Sequence, residues 1–179
     1  QVYYKLCEVL HQQYSEAEFG YFSHVSLSDS LFQGSKDPRF NIYDPFNEAN
    51  LIFDHESNMN LIKNFEEFTG VTIWKMIAAD RSIGWNDHVG NYQTYINTEL
   101  RRDREYVIAK VASEIRGISR MFNDFEPDIF IPSQQMGTIT LLILEGMCKA
   151  SGVHYLVPTL SRISNLHRIS ENVMCLSPE

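Results

Sequence analysis

The sequence predicts an α/β fold, a parallel sheet layered between helices, and three observations carry that prediction. Val107, Val111, Ile115, Ile118, Phe122 and Phe125 form a stripe with the 3.6-residue period of a long helix packed on one side. Asp128 to Pro132 follow at once, a short and almost wholly apolar run of the kind a parallel strand needs when both its faces are buried. A compact turn, a helix from Thr138 to about Ala150 and a strand from Val153 to Pro158 then complete one strand–helix–strand unit of about 30 residues, the size of a parallel crossover.

Along the chain, residues 1 to about 18 place Val2, Leu6, Val9 and Leu10 on one face, as an amphipathic helix requires. Phe19 to Leu27 alternate loosely and read as a strand, so helix and strand form the second half of a crossover whose first strand is absent. Ser28 to Asn50 are rich in Ser, Asp, Asn, Gly and Pro and read as loop, and Leu51-Ile52-Phe53 as a short strand. Ser57 is the expected cap of a helix that runs to Phe68 and stops at Gly70, and Thr72 the cap of a second, Ile73 to Ala79. Trp85 to Asn97 read as a polar, aromatic connection able to cover a site, and the long helix spans Thr98 to Phe125.

Composition excludes several functions. The 179 residues carry 15 Lys+Arg against 23 Asp+Glu, a formal net charge of -8, without a basic run, so duplex nucleic acid is not an expected partner. A hydrophobic share of 44% is enough for a sizeable core in one domain or part of one. Cys7, Cys148 and Cys175 are odd in number and widely spaced, which suggests neither a disulfide framework nor a zinc site, and points to a reducing compartment. The longest apolar run, Ile139 to Met147, falls far short of a bilayer span. No signal-peptide pattern opens the chain, and a start at Gln1 is expected of a processed or trimmed piece. The chain has no GxxxxGK[ST], GxSxG or HExxH motif, and no Asp-x-Asp pair to hold a divalent ion, so no metal or cofactor is expected.

Candidate chemistry follows from topology, because open α/β sheets bind ligands beyond the carboxyl ends of their strands, where helix N-termini present free N–H groups. Ser133, Gln134, Gln135, Gly137 and Thr138 occupy one such place and suit a phosphate, a carboxylate or a sugar hydroxyl; they also make an ordinary strand-to-helix turn. Thr159 to Arg168 form the second, where Arg162, His167 and Arg168 gather cationic groups in an acidic chain. Asp80 and Arg81 are the third candidate: Asp80 as a general base or as the group orienting Arg81, or both as a local ion pair at a helix end. His24, His55 and His154 are too scattered for metal ligands, and Cys7 and Cys148 sit in apolar helical patterns as small buried hydrophobes.

The order Glu126-Pro127-Asp128 to Thr138, Ser151-Gly152-Val153-His154-Tyr155 and Ser161-Arg162-Ile163 resembles the N-terminal Rossmann-like domain of GT-B glycosyltransferases, particularly capsular or surface polysaccharide biosynthesis proteins. Trp74 to Arg81 resembles an Ala-Ala-Asp-Arg stretch of the same group, and the likeness covers residues 70–179. It implies a three-layer Rossmann-like domain, here without its first strand, forming the acceptor-side half of a two-domain enzyme. That enzyme transfers a sugar from a nucleotide-sugar donor to a surface or capsular polysaccharide. A second Rossmann-like domain of the same parent chain is the implied partner, and activity alone is not expected. The implied location is cytoplasmic, at the inner face of the membrane. On this likeness Asp80 and Arg81 are the catalytic candidates; Ser133, Gln134, Gln135, Gly137 and Thr138 line the cleft, and Arg162, His167 and Arg168 face the anionic side. Two other readings stand beside it: a nucleotide-sugar epimerase of the same architecture, and a non-catalytic interaction domain using the Trp85 to Tyr95 loop.

Overall fold

The computed structural model describes residues 2–22, 40–43, 51–80, 103–132, 138–160 and 167–171. The order is α1 (Val2–Gln13), β1 (Phe19–Phe22), β2 (Phe40–Tyr43), α2 (His55–Thr69), α3 (Ile73–Ala79), α4 (Arg104–Phe125), β3 (Ile129–Phe130), α5 (Ile139–Ser151), β4 (His154–Tyr155), β5 (Val157–Leu160) and β6 (His167–Ser170). The protein is therefore mixed α/β, mostly helical, with short strands. No described helix is long and apolar enough to cross a membrane.

α4 is the spine. Its buried residues Ile108, Val111, Ala112, Ile115, Ile118 and Phe122 recur at three- and four-residue steps, so one broad face meets α2 and α5. Each fully buried isoleucine contributes roughly 1.5–3 kcal/mol by leaving water. The expected Val111, Ile115, Ile118 and Phe122 are core, and Ile108 and Met121 join them, whereas the expected end members Val107 and Phe125 lie at the border. α4 begins at Arg104 rather than Thr98, because the Asp103 carboxylate accepts the Glu105 N–H and sets the first turn there. It ends where Glu126 takes a left-handed conformation, φ 47 and ψ 60.

α5 packs on α2, α3, α4 and β4 and buries Ile139, Leu141, Ile143, Leu144, Met147 and Cys148. Gly70 and Gly152 close α2 and α5 in the left-handed region, where a Cβ would be strained. β3 and β4, joined by α5, pair in parallel with Ile129 opposite His154 and Phe130 opposite Tyr155, which is the expected crossover unit. β1 and β2 form a second parallel pair, from Phe19 opposite Phe40 to Phe22 opposite Tyr43.

Several expectations need correction. β2 lies inside the stretch read as loop, because its alternating aromatic and branched residues are flanked by turn formers that mask them. Leu51-Ile52-Phe53 is no strand; it leads into α2, with the Ile52 carbonyl held by the buried Asn58 amide at 2.7 Å. β3 is not covered on both faces, since Ile129 is 53% exposed. The last strand is divided: β5 turns back on β6 in an antiparallel pair, with Thr159 opposite Arg168 and Leu160 opposite His167.

Candidate functional site

Carboxylates cap the four helices of the core. Asp54 accepts the Ser57 N–H of α2 at 3.1 Å, Asp103 that of Glu105, Glu66 the Ile73 N–H of α3 at 2.7 Å, and Asp80 the Ile139 N–H of α5 at 2.5 Å. The first N–H groups of a helix lack partners within it and carry partial positive charge, so an acceptor with negative charge stabilises them twice over. Ser57 lies within the first turn of α2 rather than at its cap. Thr72 and Thr138 hold the cap positions of α3 and α5, but neither makes a capping side-chain hydrogen bond. The acceptors come instead from other elements.

Asp80 is the candidate site residue whose surroundings are clearest. It ends α3, with its own N–H donating to the carbonyls of Met76 at 3.0 Å and Ile77 at 3.2 Å. Its side chain is 1% exposed and reaches across to the first residue of α5. The carboxylate thus stands at the start of the helix that follows β3 in the chain. Thr140, one residue further on, is also 1% exposed, and its hydroxyl has no hydrogen-bond partner. A carboxylate acceptor and a buried hydroxyl therefore flank the beginning of α5.

Of the other sequence candidates, Thr138 is half-buried at the cap of α5. His167 and Arg168 are strand residues paired with Leu160 and Thr159, in the antiparallel β5–β6 pair. Arg81, Ser133, Gln134, Gln135, Gly137 and Arg162 lie outside the described residues, as do His24 and the Trp85 to Asn97 connection. His55 is exposed and bonds Glu105 through Nδ1 at 3.0 Å, and His154 is exposed on β4. Cys148 is fully buried, and desolvation, helped by the Glu145 charge, pushes its thiol up to about 12, which makes it inert packing. Cys7 is half-buried.

Four buried polar residues are not singled out by the sequence: Asn58, Ser113, Glu114 and Thr140. Asn58, 1% exposed, donates to the Ile52 carbonyl and accepts from the Arg116 guanidinium, which ties the lead-in of α2 to the middle of α4. Glu114 is likewise 1% exposed within α4. Each of these two has one polar and one apolar neighbour in sequence, Ser57 and Met59 for Asn58 and Ser113 and Ile115 for Glu114, and looks like a surface position there. A groove of about 500 Å³ on the outer side of α2, lined by Asp54, Glu56, Ser57, Asn60, Leu61 and Asn64, contains none of the sequence candidates. Among the described residues, no cluster of His, Cys, Asp and Glu could hold a metal ion. Comparison with protein-family models, with curated proteins and with solved structures finds no match.

Proposed function

We propose that this chain is the acceptor-side half of a glycosyltransferase that moves a sugar from a nucleotide-sugar donor to a surface or capsular polysaccharide. In this reading the two parallel strand pairs belong to one three-layer Rossmann-like sheet, which closes on a second Rossmann-like domain of the parent protein. The observation that supports it is the Asp80 carboxylate at the start of α5, the helix that joins β3 to β4. At that carboxyl-end position a doubly wound sheet usually cradles phosphate. Here the helix terminus already has its anion, which favours a neutral glycan on this side and leaves the donor diphosphate to the facing domain.

The roles follow from that division. Asp80 acts as a positioning residue, because a carboxylate that is 1% exposed and holds a backbone N–H is placed to fix the turn rather than to meet a substrate hydroxyl. Ser133, Gln134, Gln135, Gly137 and Thr138 contact acceptor hydroxyls. Arg81, Arg162, His167 and Arg168 supply cationic groups toward the leaving diphosphate, the charge that transfer must stabilise. The test is calorimetry on the two-domain parent, titrated with UDP-, GDP- and CMP-linked sugars and with capsular oligosaccharides. Arg162→Ala is expected to weaken nucleotide-sugar binding roughly tenfold, about 1.4 kcal/mol. Unchanged affinity removes Arg162 from the site, and a parent that binds none of these sugars removes the transferase reading.

A further inference from the structure

α3 has little of its own to hold it in place. Its seven residues make about two turns, and isolated helices shorter than roughly 12–15 residues are marginal in water. It buries Ile73 and Met76, whereas Trp74 is 49% exposed and Lys75, Ala78 and Ala79 face solvent. Thr72, at its cap position, makes no capping side-chain hydrogen bond. Its docking therefore depends on what neighbouring elements supply.

Two carboxylates tie it down, one at each end, and each joins it to a different helix. At its start, Glu66 of α2 accepts the Ile73 N–H at 2.7 Å. At its end, the Asp80 carboxylate accepts the N–H of Ile139, the first residue of α5. Between those ends, the Met76 methyl stands 3.3 Å from where a Cβ of Gly146 would be. Met76 thus meets α5 at Gly146 and Asp80 meets it at Ile139, so α3 runs along about the first two turns of α5 in the opposite direction.

We infer that α3 is a strap that docks and releases as one unit, and that its release frees the first turn of α5. In a helix this short, losing either carboxylate bond withdraws support from both turns, so the docked state holds or fails as a whole. Docked, Asp80 keeps the Ile139 N–H occupied and closes the beginning of the helix that joins β3 to β4. Released, the carboxylate leaves with α3 and that N–H is open to water or to a ligand. The strap is the two-state element through which α2, by way of Glu66, controls the start of α5. The residues proposed to contact the acceptor precede that helix start in the chain, but the inference stands on hydrogen bonds and packing and is independent of sugar transfer.

Native-state hydrogen exchange by NMR in low urea tests it. In the unaltered chain the amides of Lys75, Asp80 and Ile139, bonded to the Thr72 carbonyl, the Met76 carbonyl and the Asp80 carboxylate, are expected to merge onto one exchange isotherm below that of Val111 and Ile115 in α4. Separate isotherms overturn the inference, as does a merger only at the isotherm of α4. In Glu66→Ala the Asp80 and Ile139 amides are expected to exchange roughly fivefold faster, and Asp80→Ala to speed the Lys75 amide by a similar factor, because coupling is reciprocal. Glu66→Gln, whose amide oxygen still accepts, restores the slow rates. Asp54→Ala, which removes the cap at the far end of α2, is the control and leaves Ile139 unchanged. Ile139 exchange that rises equally in Asp54→Ala and Glu66→Ala means a loss of overall stability and overturns the strap, and so does an Ile139 amide that ignores Glu66→Ala. Where a variant fails to fold, the isotherms of the unaltered chain decide.

Discussion

Asp80 was singled out in the sequence because Asp followed by Arg suggests a base or an oriented cation. In the fold it accepts the first N–H of a helix 59 residues further along. A local scan sees the residue but not this partner, because capping rules look three residues ahead, whereas the acceptor arrives here through tertiary packing. The same limit applies to Thr72 and Thr138, which stand at cap positions while Glu66 and Asp80 do the capping. Asp80→Ala is expected to cost about 1–3 kcal/mol in urea denaturation, since it strips a buried N–H of its acceptor. Asp80→Asn, whose amide oxygen can accept the same bond, should recover part of the loss. Unaltered stability in Asp80→Ala, together with lost sugar transfer in the parent, would return Asp80 to the role of base.

At the scale of elements, helices were read well and strands poorly, for a physical reason. A helix of 22 residues such as α4 repeats its apolar pattern over six turns, so a start placed six residues early, at Thr98, does not hide it. β2 offers four residues between Pro- and Asn-containing flanks, too few for a period of two to declare itself. The stop of α4 was correctly placed at Glu126-Pro127, but its geometry was not foreseen: Glu126 occupies the left-handed region, which costs a residue with a Cβ roughly 1–2 kcal/mol. Glu126→Gly should therefore raise the midpoint of urea unfolding, by about 1 kcal/mol of stability at unchanged slope.

For the whole molecule, the decisive contacts lie where three helices converge. A Cβ at Gly146 of α5 would stand 3.3 Å from Met76 Cε of α3 and 3.6 Å from Phe65 Cζ and Thr69 Cγ2 of α2. Gly146→Val is expected to destabilise the protein by about 1–3 kcal/mol through overpacking, read as a lower midpoint in thermal or urea unfolding, while Gly146→Ala costs less because the Met76 methyl can move aside. The crossover β3–α5–β4 was visible in the sequence because its apolar runs are short, bounded and in the right order. Of the site, only Asp80, Thr138 and the two hairpin residues His167 and Arg168 fall among the described residues, and what links Asp80 to α5 could be seen only in three dimensions.

That link also fixes an order of events during synthesis. The ribosome delivers Asp80 before the amide it will accept, and at ~5–20 residues per second the intervening 59 residues occupy about 3–12 s. For that interval the carboxylate remains hydrated in the nascent chain. When α5 emerges, α2, α3 and α4 have already left the ribosome, so α5 appears last among the four and docks where an acceptor is waiting for its first turn.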